Sequence, residues 1–393
     1  MLWSKAIRAF LVLAMLALFI PITLAYADHG LSGDVTVRDS VASPGLSEAN
    51  LGDSVVVHLT GLEEPAAGKV YNGWLVSDDG SRTLNLGTIN LDANGDAHQT
   101  FIASAPSGAN LISVFSTFEV TVESKIGTAS SPSSDVLLEH SVPAGAIAHI
   151  RHLLYSWKGN PEYTSGAYSG TTKGILVGLR QQSSDAVTNA KTGLTSIEGG
   201  DLAGAKTQAK RVINIIEGSG GVNYSADAGY GGDGFGILNY AADASHASKA
   251  ADAAPDDVSV GKYAPQVTNS AANVTTWAAA ARDNAVRATN TNSTLVAKLY
   301  LTNVSNILGR SLNGYDANRD GTVEAIIGEG GASQAYVAAQ NMAAFDPTTP
   351  PEEAAPPKVG DSYVPMVPLY ALVLGALLVL GGTYTYRRSR IQS

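Results

Sequence analysis

Two hydrophobic rhythms divide the chain. Between residues 30 and 143, apolar and polar positions alternate in short runs rich in β-branched side chains, at residues 35–37, 54–59, 70–76, 83–91, 97–103, 112–122 and 136–138. A period of two marks half-buried strands, and turn residues separate the runs. Seven strands at this spacing predict a β-sandwich over residues 28–143. Asp92-Ala93-Asn94-Gly95 reads as a hairpin turn between the fourth and fifth strands, with Asn-Gly supplying the positive φ angles. Tyr71 and Trp74 lie three apart on one strand and so face opposite sides. Trp74 is expected in the core, and Tyr71 at the surface or rim.

After Pro143 the period changes to that of a helix. Leu176, Leu179, Ala186, Ala190, Leu194 and Ile197 form one stripe; Leu202, Ala205, Ala209, Val212 and Ile216 form a second, beyond a Gly199-Gly200-Asp201 turn. Val267, Ala271, Val274, Ala278, Ala281, Ala285 and Ala288 form a third. Alanine seams let helices approach closely, which predicts a slim all-α bundle over residues 144–345. The bundle also repeats itself. Val212 to Ile216, a Gly/Asp loop and Gly232-Asp233-Gly234 parallel Val304 to Leu308, a longer loop and Gly328-Glu329-Gly330. Two copies of a helix–helix–acidic loop–helix unit are expected.

The ends place these modules outside a membrane. Lys5 and Arg8, an apolar run to Ile20 and Ala25-Tyr26-Ala27 read as a signal peptide over residues 1–27. Residues 365–386 are uncharged and about long enough to cross a bilayer, with Tyr370, Tyr384 and Tyr386 near the ends. Arg387, Arg388 and Arg390 follow, so residues 387–393 are expected as a cytoplasmic tail. The Pro-rich, acidic residues 346–364 read as an extended stem. The fold class is thus β plus α and multidomain: an N-terminal sandwich, a duplicated helical bundle and one C-terminal transmembrane helix in the plasma membrane.

Composition narrows the chemistry. No cysteine is present, which excludes disulfides and thiolate metal sites. Of 25 basic residues, two fall in the signal and three in the tail, leaving the exported part 35 acids against 20 bases, or −15. No basic patch remains to suggest nucleic acid as a partner. No Gly-x-Ser-x-Gly, His-Glu-x-x-His or Gly-Lys-Ser/Thr motif occurs, and the reading is a non-enzyme with no catalytic residues.

One loop carries a metal signal. Asp316, Asn318 and Asp320 occupy positions 1, 3 and 5 of an EF-hand-like pattern, with Gly321 at 6 and the Thr322 carbonyl at 7. Hard oxygens at this spacing wrap Ca2+. Position 12 is Ile327, so closure falls to Glu329 at position 14 if the loop bulges. The metal set is Asp316, Asn318, Asp320, Thr322 and Glu329, against the alternative of a solvated turn. The first loop, with Asn223, Asp227 and Asp233, lacks the spacing. His149 and His152 share a helix face and His246 lies on another helix, which leaves a transition-metal or haem site open beside a reading as ordinary surface histidines.

A resemblance adds to this. Val70-Tyr71-Asn72-Gly73-Trp74-Leu75-Val76, Leu86-Gly87-Thr88-Ile89, the Asp92 to Gly95 turn, Phe118-Glu119-Val120-Thr121-Val122-Glu123 and Ser131-Pro132 come in the order of the extracytoplasmic C-terminal domain of anti-sigma-K factors, which residues 30–143 resemble. The resemblance implies that fold and a binding or sensing surface. Anti-sigma factors of that family carry a cytoplasmic sigma-binding domain ahead of the membrane helix, where this chain has a signal-like segment, so a sigma factor is not the expected partner. The leading reading is a membrane-anchored binding, sensing or structural surface protein with an unidentified extracellular ligand or protein partner and a calcium-stabilised helical module. The alternatives are a regulatory membrane protein of the anti-sigma-K type and a periplasmic metal or haem carrier.

Overall fold

The computed structural model describes residues 31–350, apart from Glu48, residues 104–109, Thr128 and residues 165–168. The expected signal peptide, the stem beyond Pro350, the transmembrane segment and the tail lie outside the described residues. Among the described residues, no helix is long and apolar enough to cross a membrane.

Each expected strand forms. The strands are β1 (Ser32–Arg38), β2 (Ser54–Thr60), β3 (Lys69–Ser77), β4 (Thr83–Ile89), β5 (Ala97–Ile102), β6 (Phe115–Ser124) and β7 (Val136–Ser141). A short 3-10 turn, Leu111–Ser113, takes the start of the sixth expected run. The strands make a three-stranded sheet, β1-β2-β5, and a four-stranded sheet, β4-β3-β6-β7, with all pairs antiparallel. Val35, Val37, Val55, Val57 and Leu59 from the first sheet, with Tyr71, Leu75, Ile89, Phe118 and Val120 from the second, belong to the core.

Two expectations are corrected here. The Asp92 to Gly95 turn is not a hairpin, because β4 and β5 belong to different sheets and the turn carries the chain across the sandwich. It is held by the Asp92 carboxylate, which accepts from Asn94 N (2.8 Å) and Asp96 N (3.0 Å). Gly95 takes a positive φ but Asn94 does not. Second, Tyr71 is not at the surface or rim: both members of its pair are buried, Trp74 as expected and Tyr71 between the sheets. Trp74 faces the outer side of the four-stranded sheet, yet is 1% exposed. Its Nε1 donates to Thr121 Oγ1 at 2.8 Å. On that face the β6–β7 connection is tied down by Asn85 donating to the Ala129 carbonyl and Ser133 N donating to Glu123.

The helices are α1 (Ala144–Leu154), α2 (Ile175–Glu198), α3 (Leu202–Glu217), α4 (Ile237–Asp243), α5 (His246–Ala253), α6 (Val258–Asn290), α7 (Thr294–Asn313) and α8 (Ala332–Met342). Side-chain caps fix three starts: Asp201 accepts from Gly204 N, Asp257 from Val260 N and Ser293 from Val296 N. All seven members of the third stripe are buried on α6. At 33 residues α6 is about 50 Å long, and it packs against α3, α4, α5, α7 and α8.

Sandwich and bundle are not independent. One continuous apolar core runs through both, and the chain up to Pro350 is one compact unit. Three features join them. Arg151 on α1 grips Asp78 with two bonds, 2.6 and 2.7 Å, while its Nε donates to the Ile112 carbonyl. Asp39, at the end of β1, accepts from Tyr336 Oη and Gln340 Nε2 on α8. After α8, Phe345 pairs with Val35 of β1 and Thr348 with Glu139 of β7, each through two backbone hydrogen bonds. Residues 345–348 therefore strap the outer strands of both sheets, with the Phe345 ring buried against Phe118. The spacer expected from residue 346 thus begins inside the fold, and Asp346 also accepts from Ser259 Oγ.

Candidate functional sites

The two acidic loops close in the same way. Helix α3 ends at Gly218 (φ 75°, ψ 178°) and α7 at Gly314 (φ 77°, ψ −175°). The next residue donates back across the loop: Ser219 N to the Gly234 carbonyl (2.9 Å), and Tyr315 N to the Glu329 carbonyl (2.8 Å). Gly236 and Gly331 then start α4 and α8, each with its Cα hydrogens directed at the first glycine. A Cβ on either would stand 2.6 Å from the Gly218 or Gly314 nitrogen. A buried amide on the first helix of each unit holds the loop. Gln182 accepts from Asp233 N (3.1 Å) and Asn273 accepts from Gly328 N (2.8 Å). These pairings match Gly218 with Gly314, which shifts the expected helix alignment by one turn and sets Asn214 against Arg310. Nothing in the sequence marked Gln182 or Asn273, because an amide on a helix becomes a clamp only once a loop lies over it.

In the second loop the expected ligands are engaged in hydrogen bonds within the loop. Asp316 accepts from Arg319 N (2.5 Å) and Gly321 N (3.1 Å). Asn318 Oδ1 accepts from Asp320 N, and Asp320 accepts from Thr322 N and Thr322 Oγ1. Glu329 is 2% exposed and turns back into the loop, accepting from Asn318 N (3.1 Å) and Glu324 N (3.3 Å). A hydrogen bond between the Glu329 and Glu324 carboxyls lowers the pKa of Glu324 and raises that of Glu329, as two acids sharing one proton must. In the first loop, Asp227 is paired with Lys210 (2.6 Å) and Asp233 accepts from Tyr240 Oη (2.8 Å). The two carboxylates there serve separate partners.

The histidines converge. Helix α1 presents His149 and His152 toward the first turn of α5, where His246 is 3% exposed. His246 Nδ1 lies 3.0 Å from His149 Nδ1 and 3.1 Å from His152 Nδ1. Among the described residues this is the group of three or more His, Asp or Glu side chains whose ligating atoms all lie within 4.8 Å of one another. Trp157 walls the group, 4.3 Å from the His246 ring and 4.4 Å from that of His152. Lys249 Nζ approaches His246 Nε2 at 3.5 Å. Burial, with help from Lys249, lowers all three pKa values and pushes His246 down to about 4. The rings are therefore neutral at pH 7, each keeping one lone pair. The spacing does not suit a haem held between two of these rings, whose nitrogens would stand about 4 Å apart on opposite sides of the iron. The sequence placed His149 and His152 on one face, but only the packing of α1 on α5 adds His246, 94 residues further on.

Comparison with known proteins touches the sandwich. Residues 31–137 match the family described as "Anti-sigma-K factor rskA, C-terminal". No curated protein and no solved structure matches the chain. The matched segment holds six complete strands and reaches into the seventh, and it includes Tyr71, Trp74 and Thr121, so the residues that carried the resemblance lie in the matched fold. The strap, both acidic loops and the three histidines lie beyond it.

Proposed function

We propose that this chain is a membrane-held regulatory protein of the anti-sigma-K type, whose sandwich and helical bundle form one sensing body outside the membrane. The match of residues 31–137 to the C-terminal domain of that family carries the reading. In those proteins this domain stands outside the membrane, and here the bundle is built onto it through a shared core rather than a linker. The shared core gives a ligand bound on the bundle a physical route to the sandwich. The signal-like start and the apolar residues 365–386 supply the export and the anchor. Protease added to intact spheroplasts should release residues up to about the Pro-rich segment as one large soluble fragment. Protection of the bulk of the chain would overturn the reading.

The second acidic loop takes up calcium in this reading. Its support is the return of Glu329 onto the loop, where it meets Glu324 and the backbone of Asn318. A divalent cation would replace the proton those two carboxyls share. Binding to the folded state alone stabilises it by RT ln(1 + [Ca]/Kd), about 2.7 kcal/mol at a hundredfold excess over Kd. Millimolar calcium should raise the melting temperature of the purified chain, and Asp316→Ala, Asp320→Ala or Glu329→Ala should remove most of the rise. Asp92→Ala, in the sandwich turn, should leave it intact. An unchanged melt in calcium, with no calorimetric heat, would reduce the loop to a hydrogen-bonded turn.

A further inference from the structure

We infer that His149, His152 and His246 form a binding site for a first-row transition-metal dication of the Zn2+ class, three imidazole ligands with at least one coordination position left open. The inference goes beyond the proposed regulatory role and stands on the bundle alone.

The geometry of the three Nδ1 atoms is unsuited to hydrogen bonding among themselves. A neutral imidazole has one N–H and one lone pair, both in the ring plane. With Lys249 donating to its Nε2, His246 carries its single proton on Nδ1 and faces two Nδ1 neighbours. It satisfies one of them. The other is left with a lone pair that this N–H can at best share, in a site whose His246 is buried. The three rings are strongly inclined to one another, at 62°, 69° and 86°, so their in-plane lone pairs are not stacked but are free to meet from different directions. A cation accepts all three at once.

The spacing fits such an ion. Zinc–imidazole bonds of about 2.0–2.1 Å at a tetrahedral centre set nitrogens about 3.3 Å apart. The 3.0 and 3.1 Å from His246 need an opening of a few tenths of an ångström, and the ligating atoms of His149 and His152 lie within 4.8 Å of each other. Neutral nitrogen donors select Zn, Cu, Ni or Co over calcium and magnesium, which take oxygen. Ligation through Nδ1 leaves each Nε2–H pointing outward, and the exposed Lys249 is free to turn into solvent and release the Nε2 of His246. Trp157 shields one side, while His149 and His152 remain part-exposed and give the ion a way in.

The test uses the full-length chain in detergent, stripped with EDTA and held in millimolar calcium to saturate any oxygen site. Titration with zinc sulfate should show one tightly bound equivalent by calorimetry, and cobalt substitution should give the intense visible bands of a four-coordinate centre. His149→Gln and His152→Gln are both part-exposed changes, and they should leave melting in EDTA close to that of the parent. Each should weaken zinc binding by more than the about 10–100-fold lost when an outer partner of a metal ligand is removed. His246→Gln should do the same. Asp316→Ala should not change zinc binding, and neither should His58→Gln, which disrupts the surface pair with His98. The absence of a stoichiometric zinc equivalent, or one that survives in the His149→Gln/His152→Gln double variant, would overturn the assignment.

Discussion

Asp39→Ala should destabilise the chain by about 3–5 kcal/mol and lower the unfolding midpoint of sandwich and bundle together, in one transition. The Asp39 carboxylate is buried and accepts from Gly45 N (2.7 Å), Gly52 N (2.8 Å), Tyr336 Oη (3.0 Å) and Gln340 Nε2 (3.0 Å). Alanine leaves four donors facing an apolar gap, two on the β1–β2 connection and two on α8, at about 1–3 kcal/mol for each that finds no water. Burial raises the pKa of Asp39, although its donors oppose that. A carboxyl with a raised folded pKa adds stability that is fully present below its unfolded pKa and is lost as pH rises through the folded value. The difference between parent and Asp39→Ala should therefore widen as the solution is acidified toward pH 4. Urea melts followed at once by tryptophan fluorescence and helical circular dichroism would check both points. Two separated transitions would show that the shared core does not couple the modules.

Gly218→Ala should be nearly as damaging, at about 3 kcal/mol or more. At φ 75° and ψ 178° the residue lies in a region that is essentially reserved for glycine. The added Cβ would also overlap the Phe235 carbonyl oxygen, which is backbone and cannot turn aside. Gly314→Ala meets the same conformation and would stand 2.6 Å from the Glu329 carbonyl oxygen, so it should cost a similar amount and disturb the calcium response as well. Gly309→Ala on α7 is the control. Nothing lies within 4 Å of its new methyl, and alanine in a helix should gain about 0.5–1 kcal/mol. Thermal melts of the three variants compare them directly; equal stability at positions 218 and 309 would refute the close approach of Gly218 to Phe235 and Gly236.

Local rhythm was legible in the sequence, and long-range placement was not. The strand runs and all three helical stripes could be read because alternation and 3.6-residue spacing are imposed by burial on one face, whichever partner provides it. Partner choice is a separate matter. Asp92 to Gly95 has hairpin composition, yet an Asx-bound turn serves a crossover between sheets equally well, and only β5 pairing with β2 decides between them. Trp74 is buried by contacts on the outer face of its sheet, so hydrophobicity named a covered residue but not the side it was covered from. Likewise the likeness of the two acidic loops was visible in their glycines and acids, while its register was set by backbone conformation at Gly218 and Gly314. The histidines needed two helices to meet. In the acidic loop the 1-3-5 pattern and the return of Glu329 were readable because all of them lie within one short segment.

The strap at residues 345–348 also sets how the body would answer a pull. If the chain beyond Pro350 leads to an anchor, tension enters the fold at Thr348, where two backbone hydrogen bonds to Glu139 carry it, and next at the two between Phe345 and Val35. A tail held by so few bonds peels one pair at a time, like a zip, rather than resisting as a sheared sheet does. Withdrawal of Phe345 would then uncover Phe118 and the gap between the two sheets. The first bonds to carry load are thus those of the strap itself, with the Asp346–Ser259 bond passing part of the pull to α6 between the two backbone pairs.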